Sequence, residues 1–112
     1  MKLIVAIIRP EKIEAVQRSL NERDVYLMTV SDVRGCGRQR GFTEMYRGTE
    51  FQVRLLPKLK LEIAVDDDKA EEISEVIIRS ARTGKIGDGK IFVFDLNSAT
   101  RIRTGEIGSQ AL

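Results

Sequence analysis

The chain has 112 residues, of which 42% are hydrophobic and 32% charged, with a formal net charge of +2. That describes one globular domain around one core, and the charge is too small for a general nucleic-acid binder. There is no histidine and one cysteine, Cys36, which excludes an internal disulfide and a His-dependent catalytic triad and argues against a zinc site.

Leu3-Ile4-Val5-Ala6-Ile7-Ile8 opens the chain as a continuous apolar, largely β-branched run, the pattern of a strand buried on both faces. The run is too short to span a membrane and has no cleavage signature, so a cytoplasmic, reducing location is expected. Pro10 suits a first helical position, and Ile13, Val16 and Leu20 follow at helical spacing. A second strand is predicted from Val25 to Val33. About twenty residues without sustained period follow, Gly35 to Leu55, a length that usually means function or disorder. Strict alternation returns with Leu59, Leu61, Ile63 and Val65 against Lys58, Lys60 and Glu62. Asp68 and Glu71 have capping-box spacing, and Ala70, Ile73, Ile77 and Ala81 line one face of a second helix. Ile91 to Leu96 form the last strand, and Arg101 to Leu112 a polar tail.

This order, β-α-β, long loop, β-α-β, predicts a ferredoxin-like α+β sandwich. Two helices cover one face of a four-stranded sheet, yet the first and last strands are apolar on both. Packing against identical copies is the simplest cover for the second face, giving a cyclic homo-oligomer; scattered exposed hydrophobes are the plainer alternative.

Thr83-Gly84-Lys85-Ile86-Gly87-Asp88-Gly89-Lys90 places three glycines between two lysines. Glycine lets successive N–H groups converge on an anion, and a lysine at the exit adds full charge. The spacing from Gly84 to Lys90 satisfies G-x-x-x-x-G-K, but Ile91 stands where a P-loop has Ser or Thr, and a helix precedes the loop instead of following it. The expectation is a phosphate-binding loop that is not a P-loop. Arg101 and Arg103 share one side of an extended segment, and Arg38 lies beside Gly37; guanidinium groups grip phosphate oxygens bidentately. Each site has a bland alternative: turn-shaping glycines, or arginines paired with acidic neighbours. Arg82-Thr83-Gly84 is echoed by Arg103-Thr104-Gly105, either coincidence or shared turn chemistry. In the long loop, Arg47, Tyr46 and Phe51 are the residue types that protein interfaces use as anchors.

Arg82 to Val93 and Arg101-Ile102-Arg103-Thr104-Gly105-Glu106 resemble the two signature segments of PII nitrogen-regulatory signal proteins. Thr43 to Gly48 resembles that family's T-loop and Leu56-Pro57-Lys58 its base, and the similarity covers essentially the whole chain. The resemblance implies a single domain, 1–112, with a mobile T-loop at 37–55, a phosphate loop at 82–90 and a C-terminal segment at 101–112. It implies a homotrimer binding ATP or ADP in three clefts between subunits. Thr29, Gly35, Glu62 and Ala64 would surround adenine. Gly37, Arg38, Thr83, Gly87, Asp88, Gly89 and Lys90 would serve the phosphates, and Arg101, Ile102 and Arg103 would come from the neighbouring subunit. Gln39 would help ligate Mg²⁺ and, with Lys58 and Gly87, hold 2-oxoglutarate. The T-loop residues Tyr46, Arg47, Thr49 and Phe51 would touch partners such as an ammonium channel or enzymes of nitrogen assimilation. Phe51 departs from relatives with tyrosine there: lacking a hydroxyl, it cannot accept a nucleotidyl group.

Two rivals belong to other classes. An RNA-recognition module shares the fold but needs stacking aromatics on its third strand, and Leu59 to Val65 has none. A slow nucleotide hydrolase using the same site is the alternative to a non-enzymatic sensor.

Overall fold

The computed structural model describes residues 1–37 and 54–112. Four strands, β1 (Lys2–Ile8), β2 (Thr29–Gly35), β3 (Leu56–Val65) and β4 (Gly89–Asp95), form one sheet in the order β2-β3-β1-β4. Every neighbouring pair is antiparallel. Helices α1 (Ile13–Asn21) and α2 (Ala70–Ala81) each follow a short 3-10 turn and pack on one face. This is the predicted ferredoxin-like α+β architecture.

Register assigns the faces. Ile4 sits opposite Ile63 and Val93, and Ala6 opposite Leu61 and Ile91, so these side chains share the helix-covered face. Ile4, Ala6, Ile8, Leu61 and Ile63 are buried there with Val16 and Leu20 of α1 and Ile73, Val76 and Ile77 of α2. The helical stripes read from the sequence are therefore the core stripes, with Val76 added.

The opposite face is open. It carries Leu3, Val5 and Ile7 of β1, Phe92 and Phe94 of β4, and Lys58, Lys60, Glu62 and Ala64 of β3. Phe92 is 47% exposed and Phe94 53%, too much aromatic surface for a finished sheet face.

Two local expectations are corrected. The second strand begins at Thr29, not Val25. The chain leaves α1 through Asp24 at φ 60, and the Val25 amide donates back to Leu20 at 3.0 Å. Val25 and Met28 pack on the core from this irregular connection, so their apolar character reports burial without strand geometry. The Asp68–Glu71 capping box is not formed. Asp68 lies inside the 3-10 turn Asp67–Lys69, and no side-chain cap bond is made at the start of α2. Asp66, at the head of that turn, instead accepts a hydrogen bond from the Ser109 hydroxyl at 2.6 Å.

Candidate functional site

Between β2, the ends of β1 and β3, and the Ile86–Lys90 segment lies a groove of about 940 Å³. Its walls include Gly35, Gly37, Lys58, Gly87, Gly89 and Lys90, with Ile7, Val33 and Phe92 as an apolar floor. Arg34, Lys58 and Lys90 supply positive charge, and among the described residues no lining residue is acidic. Cations and exposed backbone beside an apolar patch suit an anion with an apolar or aromatic part.

The loop between α2 and β4 is built around Asp88. One carboxylate oxygen accepts the amides of Thr83 and Gly84, each at 2.8 Å; the other accepts Arg9 Nε at 2.9 Å and the Thr83 hydroxyl. Arg9 Nη2 also donates to the Ile86 carbonyl at 2.8 Å. Burial works to raise the Asp88 pKa, but the hydrogen bonds from Thr83, Arg9 and Gly84 outweigh it and hold the carboxyl well below the usual carboxylate range. The amides of Thr83 and Gly84 are thus already satisfied by an internal anion. Among the groove-lining loop residues are Gly87, Gly89 and Lys90, a little further along.

Gly89 is fixed by sterics. Its φ is +107, and a Cβ built on it would lie 1.7 Å from the Ile7 carbonyl oxygen. No side chain fits where β4 first meets β1, so the loop's exit sits tight against the sheet. Lys58 secures the other wall: its Nζ donates to the Gly87 carbonyl at 2.6 Å.

Thr29 and Glu62 are directly opposite each other on the open face, with Ala64 two positions along β3. Thr29 and Gly35 are the two ends of β2, which at the usual rise lie about 20 Å apart. Of the residues expected around adenine, Thr29, Glu62 and Ala64 therefore lie away from Gly35, which joins the expected phosphate residues Gly37, Gly87, Gly89 and Lys90 in the groove lining.

Arg101, Ile102 and Arg103 do not line the groove, and they lie in a turn, with the Gly105 amide donating to the Arg101 carbonyl at 2.7 Å, instead of in the expected extended segment. Thr100 bridges to Ile107, closing a hairpin whose base is tied down by the Ser109 bond to Asp66, just beyond β3. That is the end of the sheet where Lys2 pairs with Val65; Gly89 pairs with Ile8 at the other end. The length of β1, about 20 Å, separates the anchored base of the arginine hairpin from the start of β4, where the glycine loop ends. Ile102, at the hairpin tip, is 100% exposed. Arg101 is held by Glu106 at 2.7 Å and by the Leu112 carbonyl at 3.3 Å.

The sequence echo is shared turn chemistry. Thr83 Oγ1 accepts the Lys85 amide at 3.1 Å, and Thr104 Oγ1 accepts the Glu106 amide at 3.2 Å. Gly84 and Gly105 both have positive φ. Each turn is closed by a carboxylate that takes the threonine hydroxyl and an arginine: Asp88 with Arg9, and Glu106 with Arg101. Arg9 was not among the sequence candidates. It lies 79 positions from Asp88, and no local pattern signals that pairing.

Arg38, Gln39, Tyr46, Arg47, Thr49 and Phe51 lie outside the described residues. Among those that are described, no group of acidic or sulfur ligands could hold a metal ion, and no helix is long and apolar enough to cross a membrane.

Comparison with known proteins gives a consistent result. The family model described as "Nitrogen regulatory protein P-II" matches residues 1–106. The chain is 54% identical over its whole length to nitrogen regulatory protein P-II 1 of Escherichia coli K12, covering all of that protein. It is 53% identical to nitrogen regulatory protein P-II 2 of Methanothermobacter thermautotrophicus, again over its whole length and across 97% of the relative. A P-II protein of Rhizobium etli is 52% identical over the full length of both chains.

Proposed function

Because this chain belongs to the nitrogen regulatory protein P-II family, with a nitrogen-regulatory signalling role, we propose that it senses ATP or ADP together with 2-oxoglutarate in clefts between the subunits of a homotrimer. The signal leaves through the 37–55 loop, which engages or releases an ammonium channel or an enzyme of nitrogen assimilation. The protein acts in the cytoplasm as a binding switch and not as a catalyst.

One observation carries the reading: the cationic groove and the arginine hairpin occupy opposite ends of the same sheet. The separation between the groove and the anchored base of the hairpin supports a site in which Lys90 comes from one copy and Arg103 from a neighbour. The exposed Phe92 and Phe94 and the fully exposed Ile102 give that neighbour an apolar surface to cover. Within the groove, the amides near Gly87 and Gly89 and the Lys90 ammonium suit phosphate oxygens. Lys58 uses one N–H on the Gly87 carbonyl and keeps two for a ligand carboxylate.

Among the described residues the lining has no carboxylate for a cation, so Mg²⁺ would arrive held by the triphosphate, with Gln39 helping to ligate it. Bound there, the metal would offset phosphate charge. A ligand set then biases the switch only by its differential affinity for the two states.

Calorimetric titration of 2-oxoglutarate with and without Mg-ATP is the deciding test. Binding that requires Mg-ATP is expected; binding of equal strength in its absence would refute a shared site.

A further inference from the structure

We propose that Asp88 is a positioning residue: its carboxylate acts as a built-in anion that closes the Thr83–Gly84 turn from within and so aims the 87–90 backbone and the Lys90 ammonium at the groove. The inference rests on the nucleotide reading above and adds a role for a side chain whose oxygens are taken up by Arg9 and the loop's own donors.

The carboxylate accepts from the Thr83 amide, the Thr83 hydroxyl, the Gly84 amide and Arg9 Nε. Four donors fill the lone-pair positions of a carboxylate, leaving no acceptor free for Mg²⁺ or a ligand donor. Arg9 grips the loop a second time at the Ile86 carbonyl, so one guanidinium spans both limbs of the turn. The two side chains are 22% and 24% exposed, sheltered enough for these charge-assisted bonds to hold a fixed geometry. The arginine hairpin repeats the device, with Glu106 accepting from the Thr104 hydroxyl and Arg101. Two loops closed by the same construction point to loop shaping as its purpose.

Asp88→Asn preserves size but removes the charge and turns an NH₂ toward groups that are all donors. ATP affinity should fall at least about tenfold, the effect of losing one or two charge-assisted hydrogen bonds. The loss should be equal with and without Mg²⁺ and equal for ADP, because backbone placement is lost and no metal contact is. Arg9→Lys, which keeps the charge but not the two-point grip, should show a smaller loss with the same Mg²⁺ independence.

The experiment is calorimetry of the full-length wild type and both variants with ATP, Mg-ATP and ADP, at a temperature where each is folded. It is paired with amide NMR of the ligand-free proteins. A loss confined to Mg-ATP would place Asp88 on the metal and overturn the proposal. Affinities within about twofold of wild type, with only the melting temperature lowered, would reduce Asp88 to a stabilising role and also overturn it. Should the wild type bind no nucleotide, the nucleotide reading fails, and the amide spectra judge the positioning role separately. Resonances of residues 83–90 must move in Asp88→Asn, and an unchanged set rejects it.

Discussion

Gly89→Ala tests how tightly the loop is bolted to the sheet. The new Cβ would sit 1.7 Å from the Ile7 carbonyl oxygen and 2.8 Å from its carbonyl carbon, both backbone atoms that cannot swing aside. Relief requires β4 to separate from β1 at its first pairs, Gly89 with Ile8 and Lys90 with Ile7. Holding a non-glycine residue at φ +107 costs about 1–3 kcal/mol, and overpacking against fixed backbone costs about 1–3 kcal/mol more. The sum, roughly 2–6 kcal/mol, is a large part of a typical domain stability of about 5–15 kcal/mol. Gly84→Ala is the internal control: its φ is +88, but nothing lies within 4 Å of the added Cβ, so only the conformational cost of about 1–2 kcal/mol remains. Urea unfolding of both variants at one fixed protomer concentration, read as midpoint shifts at unchanged slope, gives the comparison. Equal destabilisation of the two variants would show that the Gly89 contact with Ile7 does not constrain the loop, and the steric argument would fall.

Other consequences follow from the same geometry. Asp88 is held below its ordinary value of 3.8, so its contribution to stability is complete above about pH 5 and is lost as the pH falls below that value toward its depressed folded pKa. The urea-midpoint advantage of wild type over Asp88→Asn should therefore shrink between pH 5 and pH 3; an advantage that grows on acidification would contradict it. Leu61→Ala and Ile77→Ala, each removing a side chain exposed by at most 1%, should each lower stability by about 2–5 kcal/mol in chemical denaturation. Lys90→Ala and Arg103→Ala should each weaken ATP binding when pure. Unfolded together and refolded as a mixture they should recover a fraction of full-affinity sites, since some clefts then join an intact groove to an intact hairpin; no recovery would mean that both residues serve one protomer's site.

The fold was legible because its two periods are clean. Leu59, Leu61, Ile63 and Val65 alternate, three of them buried and Leu59 packed at the core's edge, while Val16 and Leu20 recur at helical spacing. Boundaries failed where side-chain chemistry did not report backbone geometry. Val25 and Met28 are apolar because they touch the core, and Asp68 has a capping residue's identity one turn inside the wrong element. Glycine spacing and charge predict an anion on this loop, and the anion the structure places on its Thr83 and Gly84 amides is the Asp88 carboxylate. The loop's internal wiring was not legible, because spacing cannot tell a nest awaiting an anion from one already holding its own carboxylate. The Arg9 that completes the wiring arrives from the end of β1, across the whole middle of the chain.

The separation of the two basic elements has a consequence for signalling as well as for binding. If a ligand needs Lys90 from one copy and Arg103 from the next, each bound ligand is also a cross-link between protomers, and binding is linked to assembly by mass action. Ligand occupancy and interface geometry then cannot vary independently. In that case a change at the groove would reach β2, which leads through Gly35 into the 37–55 loop, and would at the same time draw on a hairpin anchored beyond β3 of the neighbour. Were the groove and the hairpin at the same end of one sheet, a monomer could bind ligand without informing any other copy. In the proposed homotrimer, a hairpin base about 20 Å from the groove would make the interface itself the place where ligand identity is read.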